Sequence, residues 1–75
     1  MNVELVRKRL HEEFTPFVIR LSDGRTVPIP HPDFIAIGKN VVVVLDAEDH
    51  SIKMDPLHIV SLDDAAMNGE GRSQL

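Results

Sequence analysis

His31 and Asp33, which flank Pro32, are the residues of this chain best placed to do chemistry. An imidazole and a carboxylate at this spacing are able to act as an acid–base pair or to clamp a small ligand. A structural role fits as well, in which His31 caps a bend through a backbone hydrogen bond and Asp33 forms an Asx-type turn. The pattern favours the structural role and leaves the chemical one open.

Other patterns for catalysis or metal binding have weak support. The four histidines, His11, His31, His50 and His58, show no HxxxH spacing, and there is no cysteine to serve as a zinc ligand or nucleophile. The acidic run from Asp46 to Asp49 lacks the glycine and the distal glutamate of an EF-hand loop, which favours a solvated turn. We therefore expect no enzymatic activity, no metal and no cofactor.

The remaining polar side chains define a candidate interaction surface. Arg20, Arg25 and His31 belong to one predicted hairpin and its end, Asp33 lies just beyond it, and His58 follows the turn formed by DPL. We expect these five residues to contact a partner.

Length and composition limit the class of protein. A chain of 75 residues forms a single domain, and folding at this size buries only about 60% of the surface of the unfolded chain. The lack of cysteine is typical of a reducing compartment. No apolar run approaches the roughly 20 residues of a membrane helix, and the start MNVELVRKRL has no apolar stretch of a secretory signal. These features predict a cytoplasmic protein that does not bind membranes.

Charge is distributed unevenly along the chain. Residues 1–45 carry a net charge of +1 and residues 46–75 a net charge of −5, which together give −4. Nucleic-acid binding usually needs a basic field and aromatic stacking residues, and the only aromatics here are Phe14, Phe17 and Phe34. RNA is thus a possible partner that the net charge disfavours.

One amphipathic helix is predicted over about residues 3–13. Asn2 is a suitable N-cap, and Thr15 and Pro16 end the helix. Apolar residues recur at helical spacing, at Val3, Val6, Leu10 and Phe14. The basic run RKR fits a solvated face, because Glu4–Lys8 and Arg9–Glu13 are both i,i+4 pairs.

The next segment predicts a hairpin whose register is set by its turn. A three-residue loop, Ser22 to Gly24 with Gly24 left-handed in a G1 bulge, pairs Ile19 with Val27 and Phe17 with Ile29, so the apolar side chains share one face. In that register Pro28, Pro30 and Pro32 point away from the first strand. Proline is tolerated at an edge that needs no donor, so we expect an unpaired outer edge here.

Short strands are predicted in the rest of the chain. Phe34–Ile37 and Val41–Leu45 form a second hairpin, and the four valines suggest a strand covered on both faces. SIKM and HIVSL follow, counted as the fourth and fifth strands, with a tight turn at DPLH whose Leu57 plugs the end of the fold. The predicted fold is mainly β (α+β): an N-terminal helix and five short antiparallel strands in a small SH3-like or Sm-like barrel, residues 1–64, with a flexible tail at 65–75. A plain α+β meander is the alternative.

Two resemblances add to this interpretation. Phe14, Pro16, Phe17, Leu21, DGR at 23–25 and HPDF at 31–34 are similar to a family of short uncharacterised bacterial proteins with a PF, L-x-DGR, HP-[DE]-F pattern. That resemblance covers about residues 14–62 and implies no established activity. In plan the chain also resembles the bacterial Sm-like RNA chaperones, which would imply an RNA-binding ring. It departs from them where Leu57, instead of lysine, precedes His58.

Three functional hypotheses follow, in this order. The first is a non-enzymatic interaction module that binds a protein partner or forms a homo-oligomer, which predicts an apolar patch near open strand edges. The second is an Sm-like RNA-binding ring, which predicts a defined oligomer and RNA affinity that falls steeply with salt. The third is a small-ligand sensor or minimal enzyme using His31 and Asp33, which predicts a concave pocket around them.

Overall fold

The computed structural model of the protein describes residues 1–65, and within this range one helix is followed by six strands. The helix α1 spans Val3–His11. The strands are β1 Phe17–Leu21, β2 Thr26–Ile29, β3 Ile35–Ile37, β4 Val42–Leu45, β5 Ser51–Met54 and β6 Ile59–Asp64. Short 3₁₀ helices at Pro32–Phe34 and Pro56–His58 precede β3 and β6.

Helix α1 begins as predicted and ends earlier. The Asn2 side chain accepts a hydrogen bond of 2.8 Å from the Glu4 amide, which confirms the N-cap. The last helical residue is His11, because Glu12 adopts extended backbone angles and Glu13 has a φ of 44°. The predicted i,i+4 ion pairs are wrong: Glu4 pairs with Arg7 at 3.4 Å, and Arg9 pairs with an aspartate at the other end of the domain.

The register of the first hairpin is confirmed. Phe17 lies opposite Ile29 and Ile19 opposite Val27, and the Leu21 amide donates to the Arg25 carbonyl at 2.9 Å. Gly24 has a φ of +94°, the left-handed conformation that the three-residue loop requires. The apolar side chains of both strands therefore face the core.

The strands form two three-stranded antiparallel sheets. The first has the order β2-β1-β6 and the second β3-β4-β5. Each segment predicted to be extended is a strand, and the count rises from five to six because the proline-containing half of the first hairpin is a full strand, β2. The mainly β, α+β description holds for residues 1–65.

The predicted barrel is not supported, because no strand pair joins the two sheets within residues 1–65. On one side, Pro28 and Pro30 face Leu45 and Ile52 across a cavity of about 140 Å³, and neither proline has an N–H to donate across it. On the other side, α1 contacts β3 and forms an ion pair with β6. The helix therefore lies where β3 and β6 would have to pair to close a barrel. These two features keep the sheets separate.

The core lies between the two sheets and α1. Its twelve buried apolar residues are Val6, Leu10, Phe17, Ile19, Leu21, Val27, Ile29, Ile35, Val42, Val44, Met54 and Ile59. The four valines are not covered on both faces as predicted: Val42 and Val44 are buried, whereas Val43 on the outer face is half-buried. Leu57 does not plug the fold either, since 81% of it is exposed.

The predicted tail at 65–75 lies outside the described residues except for Ala65. The Ala65 amide donates to the Pro16 carbonyl at 3.2 Å, so the last described residue is hydrogen-bonded to the residue just before β1.

Candidate functional site

An apolar groove, which the sequence did not predict, lies between α1 and β6. It has a volume of about 510 Å³ and is lined by Met1, Leu5, Lys8, Arg9, Glu12, Val60, Ser61 and Leu62. Leu5 is 54% exposed and Val60 57% exposed, although both are large apolar side chains. We call this feature the α1–β6 groove.

Polar contacts at both ends fix α1 along β6. At one end the Met1 ammonium donates to the Pro56 carbonyl at 2.7 Å and to the Ile59 carbonyl at 3.4 Å. At the other end Arg9 donates to the Asp64 carboxylate at 2.9 Å. The helix therefore runs beside β6 from the first residue of the strand to the last.

The backbone of β6 has one free edge, which lies beside the groove. β6 pairs only with β1 among the described strands. The Ala65 amide points to the Pro16 carbonyl, so beyond the register shift at Val60 the amides of Ser61 and Asp63 face β1 and those of Leu62 and Asp64 face the opposite way. Within residues 1–65, no hydrogen bond uses the amide of Leu62 or of Asp64.

The candidate residues Arg20 and Arg25 lie on opposite sides of the first sheet. Arg20 is on the outer face, where its guanidinium is 3.0 Å from the Asp63 carboxylate on β6. Arg25 lies opposite the buried Leu21 at the hairpin end, and its Nε donates to Asp23 at 2.8 Å. Both side chains are thus engaged in ion pairs within the fold.

His58 lies close to Arg25. The two residues line a cavity of about 320 Å³ together with Leu21, Asp23, Lys53, Met54 and Asp55. The His58 carbonyl accepts a hydrogen bond of 2.8 Å from the Ser22 amide, and its Nδ1 is 3.4 Å from the Ser22 Oγ. Side chains of both charges line this cavity, and Arg25 already forms an ion pair with Asp23.

His31 and Asp33 lie at the far end of β2 from this cavity. His31 lies six positions after Arg25 along mainly extended chain, a span of up to roughly 20 Å at about 3.3 Å per residue. The structure therefore brings Arg25 and His58 together and does not gather the five predicted residues on one surface.

The bend at His31 is built from backbone contacts. The His31 carbonyl accepts a hydrogen bond of 3.1 Å from the Phe34 amide, and the His31 side chain makes no cap bond. The His31 and Phe34 rings lie 6.2 Å apart, and His31 and Asp33 are both exposed. The backbone hydrogen bond at His31 fits the predicted structural role of the bend, but within residues 1–65 no hydrogen bond reaches the Asp33 carboxylate, so the predicted Asx-type turn is wrong.

The acidic turn after β4 is held together by hydrogen bonds among its own residues. Asp46 Oδ1 accepts hydrogen bonds of 2.9 Å from the amides of Glu48 and His50, and its Oδ2 is 3.7 Å from His50 Nδ1. The His50 amide bond is the main cause that lowers the pKa of the Asp46 carboxyl below its usual range. Asp46, Glu48 and His50 offer three possible ligand atoms within 4.8 Å of one another, at an exposed turn.

Sequence reasoning missed Leu5 and Val60 for a simple reason. Leu5 falls outside the apolar stripe of α1, and Val60 sits at the irregularity where β6 shifts register against β1. The one signal in the sequence was Leu5, an apolar residue on the exposed face of the predicted helix. It indicates a groove only once the position of α1 beside β6 is known.

Comparison with known protein families, with curated proteins and with solved structures gives no match. Among residues 1–65, no helix is both long enough and apolar enough to cross a membrane.

Proposed function

We propose that the protein is a non-enzymatic interaction module that binds a protein partner in the α1–β6 groove. This proposal rests on one observation: two exposed apolar residues, Leu5 and Val60, lie beside the free edge of β6. An apolar patch beside an open strand edge is a typical recognition surface, because side chains supply contact area and the edge supplies hydrogen bonds.

The arginines of the domain support a protein partner over a phosphate backbone. Each of the four arginines in residues 1–65 is within ion-pair distance of a carboxylate: Arg7 with Glu4, Arg9 with Asp64, Arg20 with Asp63 and Arg25 with Asp23. A guanidinium that already faces a carboxylate gains less from a phosphate, and the net charge of −4 repels polyanions. The RNA-binding ring and the cytoplasmic location stay predictions.

Site-specific photo-crosslinking tests the proposal. A benzoylphenylalanine placed at Leu5 or at Val60 should crosslink one discrete partner in a lysate of the source cells. The matched control is the same probe at Leu45, which is 38% exposed and lies outside the groove. A Val60→Lys change should abolish the crosslink from Leu5. Equal crosslinking from Leu45, or a Leu5 crosslink that survives Val60→Lys, would show that the groove is not the binding surface.

Light scattering separates a partner from self-assembly. A mass that stays at one chain over a wide concentration range supports a hetero-partner. A closed ring of several copies would instead support the Sm-like hypothesis and call for RNA titrations against salt.

A further inference from the structure

The edge strands of the described fold differ in how open they are. On β2, Pro28 removes the outward donor, β3 is only three residues long and contacts α1, and β5 carries Lys53 in its middle. Proline, shortness and lysine are the usual ways in which edge strands are kept from pairing. β6 is six residues long and contains neither proline nor lysine, and its bulge at Val60 and the Met1 contact at Ile59 leave the segment from Leu62 to Asp64 as the edge least protected against an added strand.

The space beside β6 suits a single extended segment. Because α1 runs along the edge, a folded second copy would bring its own α1 against this helix, whereas an isolated strand has no such obstacle. The free amides of Leu62 and Asp64 are two residues apart, which is the repeat with which an antiparallel strand exchanges hydrogen bonds.

The residues of α1 that line the groove determine which side chains a bound segment must present. Leu5, Lys8 and Glu12 follow one another along this wall, and in residues 1–65 the Lys8 ammonium and the Glu12 carboxylate take part in no ion pair. The Glu12 amide donates to the Lys8 carbonyl at 3.0 Å, so the C-cap Glu12 lies one helical turn after Lys8, about 6 Å away and close to the repeat of about 6.7 Å between alternate strand residues. A strand antiparallel to β6 meets Glu12 first, then Lys8, then Leu5 with Val60.

We propose that the occupant of the α1–β6 groove is an extended segment of a partner protein that adds to β6 as an antiparallel strand and presents a basic, an acidic and an apolar side chain at alternate positions. This inference rests on the proposed function and specifies the chemistry of its partner. Charge complementarity to Glu12 and Lys8 and apolar contact with Leu5 and Val60 set the order of the three side chains.

The probe is the synthetic peptide Lys-Thr-Glu-Thr-Val-Thr-Val, acetylated and amidated, added to the full chain. Amide hydrogen exchange is measured residue by residue. We expect exchange at Leu62 and Asp64 to slow by at least about ten-fold, because these amides gain partners, while Ser61 and Asp63, which already face β1, stay unchanged. N-methylation of the peptide amides that face β6 should abolish the effect, and N-methylation of the alternate set should leave it intact.

A charge exchange tests the side-chain order. Lys8→Glu should weaken the peptide by about ten-fold, and a peptide with lysine in place of its glutamate should restore binding to that variant. Lys39→Glu is the control, because Lys39 lies outside this groove.

Several results would overturn the inference. Changes confined to the side chains of Leu5 and Val60, without slower exchange at Leu62 and Asp64, would mean that the groove binds without strand addition, which leaves the proposed function standing. No response to the peptide at any concentration would refute the specified chemistry. Slow exchange at both amides before peptide is added would mean that the edge is already occupied. If a chain ending at Ala65 loses this protection, the occupant is the chain's own tail. If dilution removes the protection, the occupant is a second copy.

Discussion

Arg9 and Asp64 lie 55 residues apart in the sequence and form an ion pair in which Nη2 is 2.9 Å from Oδ1. The same guanidinium lies over the Phe17 ring, with 4.6 Å between its central carbon and the ring centroid. One side chain therefore joins α1 to β6 and to β1. This contact and the hydrogen bonds of the Met1 ammonium hold the helix beside the strand and so form the α1–β6 groove.

Loss of the Arg9 contacts should destabilise the domain measurably. Arg9 is only 21% exposed in its side chain, and its ion pair and cation–π contact together should contribute about 1 kcal/mol to the free energy of unfolding. Urea denaturation of Arg9→Ala measures this. Arg25→Ala is the matched control, because the Arg25 side chain is 69% exposed and pairs with its neighbour Asp23, and it should cost close to nothing. Equal losses in the two variants would contradict the role given to Arg9.

The left-handed conformation at Gly24 predicts a cost for any side chain there. A Cβ at Gly24 would meet no atom within 4 Å, so the effect of Gly24→Ala comes from the backbone alone. We expect a loss of about 1 kcal/mol in the free energy of unfolding, and a smaller loss for Gly24→Asn, because asparagine tolerates this conformation better. If Gly24→Ala were neutral in thermal denaturation, the three-residue turn would be wrong.

The edge prolines predict resistance to association. Pro28→Val restores an outward N–H on β2 and should make the chain associate as its concentration rises, which light scattering detects. Thr26→Val is the control, since it adds a similar apolar side chain to the same strand without adding a donor. Association of the Thr26→Val variant to the same degree would indicate that surface apolarity, and not the restored donor, is responsible.

The acidic turn predicts a specific dependence on pH. The pKa of Asp46 is below its ordinary value of 3.8, mainly because of the hydrogen bond from the His50 amide. A carboxyl whose pKa is lower in the folded than in the unfolded state stabilises the fold above the unfolded value, and this contribution is lost as the pH falls through the folded value. Asp46→Asn should therefore lower Tm at pH 7 and approach the wild-type Tm once the pH is well below 3.8. A difference in Tm that is the same at all pH values would contradict the shift.

The local features of the fold could be predicted from the sequence. The Asn2 cap, the register that pairs Phe17 with Ile29, and the edge position of Pro28 each depend on residues close together in the chain. Steric and hydrogen-bonding rules act at that range, so a short segment contains the information.

The arrangement of the two sheets could not be predicted in the same way. Barrel closure depends on which edges meet, and the sequence does not reveal that α1 stands between β6 and β3 or that Pro28 faces Ile52. The candidate surface failed for the same reason. Arg20 and Arg25 are near in sequence, but Arg20 pairs with Asp63 on β6, whereas Arg25 pairs with Asp23 in the hairpin turn.

Amide hydrogen exchange of the full chain at low concentration shows whether the edge of β6 is free, as both proposals require. The structure predicts slow exchange at Ser61 and Asp63, which face β1, and fast exchange at Leu62 and Asp64. Slow exchange at all four amides in the absence of any partner would show that the edge is already occupied and that the α1–β6 groove has no open strand to offer.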